Sequence, residues 1–100
     1  MSVIFSHIDE IEKLCLNNKV KSLYVFGSVL TDKFNYYSDI DLMVDFDKID
    51  HSEYADNYYN LKFGLQQLFH RRVDLLEEKA IKNPFFLQQL NKQKQLIYGH

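Results

Sequence analysis

The sequence predicts an α+β fold: a small mixed β-sheet of three or more strands with helices packed against it, in the order αβαβαβα. Three observations predict it. Short apolar runs at residues 20–26, 39–46 and 72–76 alternate with helical periodicity over 8–15 and 52–69, a short helix starting at 28–31, and a last helix after Pro84. A glycine-serine pair, Gly27-Ser28, closes the first run, and Asp39-Ile40-Asp41 opens the second. If those two groups share a site, the first two strands run antiparallel. Composition agrees, with 46% hydrophobic and 26% charged residues, three glycines and one proline, as in ordinary globular chains and unlike disordered ones.

One hundred residues suit a single domain, 1–100, with one core and no room for a second. A formal net charge of −2 argues against a chain whose main task is to coat nucleic acid. The single cysteine, Cys15, excludes an intramolecular disulfide and a multi-cysteine zinc site, and fits a reducing, cytoplasmic compartment. The first residues, Met-Ser-Val-Ile-Phe-Ser-His-Ile-Asp-Glu, lack a basic start and a long apolar stretch, so neither a signal peptide nor a membrane span is expected.

Taken in order, Ser6-x-x-Asp9 has the form of a capping box before a helix with Ile8, Ile11, Leu14 and Cys15 on one stripe. That places Cys15 in the core, and Asn17-Asn18 ends the helix. Residues 20–26 form the first strand, and 32–38 a polar loop despite Phe34, Tyr36 and Tyr37. In the second strand Asp39 and Asp41, two apart, share a face while Ile40 and Leu42 enter the core. Asp45 and Asp47 read as a solvated face, and 47–50 as a charged connector. The long helix over 52–69 turns Tyr54, Tyr58, Leu61, Leu65, Leu68 and Phe69 inward, and points Tyr59 and Phe63 nearly the opposite way. Residues 72–76 are the third strand, with Val73 and Leu75 on one side and Asp74 on the other. Asn83-Pro84 caps and opens the last helix, through Phe86, Leu87 and Leu90. Leu96-Ile97-Tyr98 is a short apolar tail able to dock on the body.

These residues suit one kind of chemistry. Gly27 lacks a Cβ, so a phosphate can approach the backbone, and Ser28 can cap the following turn and hold phosphate oxygens. Asp39 and Asp41 repel each other unless a cation sits between them. Magnesium takes oxygen ligands at about 2.0–2.1 Å, commonly one or two carboxylates plus substrate phosphates. Asp74 is a lone acid in an apolar strand, where burial without a partner would cost several kcal/mol; convergence on the same metals supplies a partner. Two ions about 3.5–4 Å apart clamp the attacking and leaving oxygens of an in-line displacement.

Phe26-Gly27-Ser28, Asp39-Ile40-Asp41-Leu42 and Val73-Asp74-Leu75 together resemble the nucleotidyltransferase superfamily that includes DNA polymerase beta, and at this length its minimal nucleotidyltransferase (MNT) domains. The resemblance implies the nucleotidyltransferase fold, two magnesium ions held by Asp39, Asp41 and Asp74, and ATP contacted at Gly27, Ser28 and Ser38. It implies transfer of AMP to a hydroxyl with release of pyrophosphate, Asp74 serving the incoming hydroxyl. It also implies an antitoxin role, with a HEPN-type toxin as partner and one of its tyrosines as acceptor. The alternative is an antitoxin that neutralises its partner by occupying it, with an idle site. One departure stands out. Many minimal members carry a basic residue soon after the Gly-Ser, where this chain has Val29-Leu30-Thr31-Asp32. Triphosphate contacts then fall to backbone N–H groups, Lys33, Arg71 or Arg72. Tyr59 and Phe63 are candidates for a docking surface, and Tyr36 and Tyr37 for stacking on a base or touching the partner. His7, His51, His70 and His100 read as scattered surface histidines without metal-ligand spacing.

Overall fold

A computed structural model of the chain describes residues 2–99. Its elements are α1 (Ser2–Phe5), α2 (Ile8–Asn17), β1 (Val20–Phe26), β2 (Ile40–Phe46), α3 (His51–Phe69), β3 (Val73–Glu77), α4 (Pro84–Gln93) and β4 (Gln95–Gly99), with 3-10 turns at Gly27–Leu30 and Glu78–Ala80. The strands form one sheet in the order β3-β2-β1-β4. β1 is antiparallel to both β2 and β4. β2 and β3 are parallel, which their connection through α3 allows, since parallel neighbours need a crossover.

Period-two alternation divides the sheet into two chemically different faces. Leu23 and Val25 of β1, Ile40, Leu42 and Val44 of β2, and Val73 and Leu75 of β3 enter a buried cluster with Ile11 and Cys15 of α2 and Leu61 and Leu65 of α3. Each such side chain contributes about 1.5–3 kcal/mol when fully buried, so this face holds the sheet under α2 and α3. Burial pushes the Cys15 thiol up to about 12, with Glu12 adding to the rise, which makes it an inert core residue. The opposite face carries Asp41 and Asp45 from β2 and Asp74 from β3. Met43 and Leu90 are buried outside the main cluster.

The ends of the elements follow local chemistry, with two departures from the sequence expectation. Ser6 does not cap α2. His7 occupies that position without a side-chain bond, and the Ser6 hydroxyl donates back to the Val3 carbonyl at 3.3 Å, because α1 already turns the chain there. Asn18 closes α2 by donating from Nδ2 to the Leu14 carbonyl at 2.8 Å, and Asn83 caps α4 by accepting from the N–H groups of Phe85 and Phe86. The apolar tail is a fourth strand, β4, with Leu96 opposite Tyr24 and Tyr98 opposite Leu23 across an irregularity. Among the described residues no helix is long and apolar enough to cross a membrane.

Candidate active site

The corner after β1 is where the sequence constrains the backbone most. Gly27 has φ +77°, and a Cβ there would run into Asp41 Oδ2. Phe26 pairs with Asp41 across the antiparallel β1–β2 ladder, so the corner rides directly over the Asp41 carboxylate. Glycine is therefore needed twice at this position, for the left-handed conformation and for the approach. The turn that follows is a four-residue 3-10 segment, too short for a sizeable helix dipole. The Ser28 carbonyl accepts both the N–H and the hydroxyl of Thr31 at 2.9 Å. The Ser28 hydroxyl has no hydrogen-bond partner among the described residues.

The parallel β2–β3 register places Asp74 beside Asp41, so both project from the same face, and Asp39 immediately precedes β2. Half-buried Asp41 has its carboxyl pushed above the usual range, chiefly by burial, then by the charge of Asp74, then by that of Asp39. Asp41 thus feels the charge of both other acids. Asp74, however, is exposed on an edge strand, so the desolvation argument made from its apolar neighbours does not hold. Its link to the other acids rests on register and charge.

Among the described residues no group of three or more His, Cys, Asp or Glu side chains forms a ready-made metal cage. The donor set nonetheless fits magnesium, which draws on one or two carboxylates and takes its remaining ligands from water and phosphate. The Asp41 carboxyl, raised by burial and then by its two acidic neighbours, is one whose charged form a divalent cation would favour.

The loop before β2 is fastened from the far end of α3. Arg71 Nη1 donates to the carbonyls of Asn35 at 3.1 Å and Ser38 at 3.0 Å, and its guanidinium lies over the Phe34 ring, 4.6 Å from the centroid. Ser38 Oγ accepts the Asn35 N–H at 3.1 Å, so Ser38 closes the loop turn that delivers Asp39. Arg71 is thereby committed to shaping the loop, a role its position in the sequence did not suggest. Tyr36 and Tyr37 project from it, 82% and 89% exposed, in edge contact with each other.

Beside Asp74 lies a cleft of about 170 Å³ lined by Asp39, Lys62, Gln66, Arg72, Val73 and Asp74. Sequence reasoning found Arg72 but missed Lys62 and Gln66. They come from the long helix, and only the signal at i and i+4 relative to Tyr58 was available to place them on the β3 side. Elsewhere, Asp45 is not a solvated acid. Its side chain is 15% exposed, and its Oδ1 lies 3.2 Å from Lys79 Nζ; that oxygen has no hydrogen bond of good geometry, so the contact is an ion pair only. Tyr59 and Phe63 are exposed and stack on each other, centroids 5.7 Å apart. Of the histidines, His7 packs edge-on against Phe69 at 5.8 Å; His51 and His70 are exposed at opposite ends of α3, and His100 lies outside the described residues.

Comparison with known proteins converges on one group. Residues 9–100 match a family profile described as polymerase beta, nucleotidyltransferase. Two proteins of Methanocaldococcus jannaschii named as candidate protein adenylyltransferases are each 35% identical over 80 residues, or 80% of this chain; the match spans 77% of one and 76% of the other. A solved structure of a candidate minimal nucleotidyltransferase superposes with a TM-score of 0.76 at 25% identity, covering 92% of this chain and 90% of that one. A chain of a toxin–antitoxin complex with AMP-PNP gives 0.71 at 26% identity, covering 93% and 73%. A chain of a complex of a tri-AMPylated Shewanella oneidensis HEPN toxin with an MNT antitoxin gives 0.65 at 26%, covering 96% and 72%.

Proposed function

We propose that this chain, which belongs to the polymerase beta family of nucleotidyltransferases, is an MNT antitoxin that transfers AMP from ATP to a tyrosine hydroxyl of a HEPN-type toxin. The observation that carries the proposal is the side-by-side placement of Asp41 and Asp74 next to a corner where Gly27 leaves no side chain over the Asp41 carboxylate. The named relatives and the complexes of similar structure support a protein acceptor and a HEPN-type partner.

Asp39, Asp41 and Asp74 would hold the magnesium ions, which when bound supply charge stabilisation at the α-phosphate. The protein's own contribution is geometric. Gly27 opens the backbone to the donor phosphates, and Ser28 offers an uncommitted hydroxyl at the same corner. The Arg71-fastened loop fixes Asp39 at the entrance to β2. Exposed Asp74, on the side away from Gly27, accepts the proton of the incoming tyrosine hydroxyl as that oxygen bonds to the α-phosphorus and pyrophosphate leaves. Asp41, whose charge is the least solvated of the three, is the residue whose ionisation depends most on the cation.

The test is incubation with labelled ATP, magnesium and a cognate HEPN toxin. Covalent label on a toxin tyrosine that vanishes with Asp39→Asn or Asp41→Asn supports the proposal. A toxin inhibited equally by wild type and these variants, and never labelled, would make the chain a non-catalytic antitoxin. The absence of a basic residue directly after Gly27-Ser28 is the one feature favouring that second reading. The Tyr59–Phe63 stack is the proposed docking patch. Tyr59→Ala with Phe63→Ala should leave the melting curve of the free chain intact and weaken toxin binding at least about tenfold, measured by calorimetry.

A further inference from the structure

The outer margin of β3 is organised by one stripe of α3. Ile40 N–H bonds to the Arg72 carbonyl, so in this ladder Asp74 turns its backbone groups toward β2, while Val73 and Leu75 turn theirs outward. Both outward residues are met by α3. Gln66 Oε1 accepts the Val73 N–H at 3.1 Å, and the Tyr58 hydroxyl donates to the Leu75 carbonyl at 2.5 Å. Tyr58, Lys62 and Gln66 are spaced i, i+4, i+8, on a single helix face. The two flanking members are tied to the residues on either side of Asp74, which fixes Lys62 between them at the cleft.

The cleft therefore holds two cations, Lys62 and Arg72, and neither side chain makes an ion pair or hydrogen bond among the described residues, although Asp39 and Asp74 line the same space. The donor corner at Gly27 lies two strands away, roughly 10 Å at normal strand spacing. At about 170 Å³ the cleft is below the roughly 300–1,000 Å³ typical of small-ligand pockets. It is too small for a nucleoside triphosphate and large enough for an acidic side chain. Once divalent ions neutralise the aspartates, the charge left facing the cleft is positive.

We infer that this cleft is the acceptor-side specificity element: Lys62 and Arg72 recognise carboxylates flanking the acceptor hydroxyl, so the chain selects a tyrosine within an acidic protein segment. The inference rests on the proposed transfer reaction for the identity of the hydroxyl, and on the two cations of the cleft, with magnesium on the aspartates, for the charge selection.

The experiment measures binding separately from transfer. Fluorescence anisotropy with magnesium present compares a tyrosine peptide flanked by glutamates with the same peptide flanked by glutamines. The proteins are wild type, Lys62→Gln, Lys62→Glu and Arg72→Glu, with ATP affinity measured in parallel and folding checked by circular dichroism. Expected is tighter binding of the glutamate peptide by wild type, weakened by added salt. That preference falls roughly tenfold with either glutamate variant and partly with Lys62→Gln, at unchanged ATP affinity in the two Lys62 variants. Equal binding of the two peptides, loss of ATP affinity instead, or preferential binding of a short RNA would overturn the inference. Charge-selective binding without any transfer to the toxin would remove the reaction and leave the cleft assignment standing. Transfer without charge selection would do the reverse.

Discussion

Asp41 and Asp45 stand four residues apart on β2, on the same face of the sheet, each flanked by buried apolar neighbours. In the sequence they look alike. In the fold, Asp45 has Lys79 Nζ at 3.2 Å, reaching back from the turn after β3. Asp41 has Asp74 and Asp39, and its carboxyl rises through burial and then through these two charges. One end of the strand has been neutralised by the protein, and the other has been left for something from outside to neutralise. Residue type and burial do not separate a structural acid from a reactive one; the sign of the neighbouring charge does.

The largest expected effect sets the two aspartates directly against each other. Asp41→Asn should lower label transfer about a thousandfold or more, since metal charge stabilisation is worth several kcal/mol and each 1.36 kcal/mol is tenfold in rate. Asp45→Asn should leave transfer near wild type, measured by the same assay. Equal losses would erase the contrast. Gly27→Ala comes next. The left-handed backbone costs a non-glycine residue about 1–2 kcal/mol, and the new methyl must push Asp41 aside. The unfolding free energy from urea titration should fall by at least that amount, with transfer lost in step.

A smaller effect sharpens the electrostatic half of the comparison. Because the folded-state pKa of Asp41 lies above its ordinary value, the stabilisation tied to it is present at low pH and is lost as pH rises through the raised pKa. At neutral pH without magnesium, Asp41→Asn should therefore melt a few degrees above wild type. Magnesium should raise the wild-type melting temperature by binding the folded state and barely move the variant. Magnesium affinity should weaken as pH is lowered through the raised range, as protons compete for the carboxylate. A wild type that melts above Asp41→Asn in chelator would contradict this. The smallest effect is at the other end of the strand. Lys79 is 63% exposed, so Lys79→Gln should cost under about 1 kcal/mol in thermal unfolding.

Much of this arrangement is legible in the sequence, and the gaps have physical causes. The β1 corner, the antiparallel pair and the stripe of α3 are local patterns whose period and glycine placement speak for themselves. The burial argument for Asp74 fails because an acid between Val73 and Leu75 suggests burial only if the strand is central, and strand order is not a local property. β4 was invisible as a strand because three apolar residues at an edge show no alternation. The roles of Arg71 and Lys79 depend on partners more than thirty positions away, and nothing in their own neighbourhoods announces them. Lys62 is the same case on a helix face.

An edge strand ordinarily invites another chain to extend the sheet, a route to unwanted polymerisation. By tying the Val73 N–H and the Leu75 carbonyl to its own helix, this fold makes the margin nearest the acids less fit for strand addition. Any growth of the sheet is diverted to β4, at the opposite border, and the mouth through which a substrate enters stays clear even in a crowded assembly.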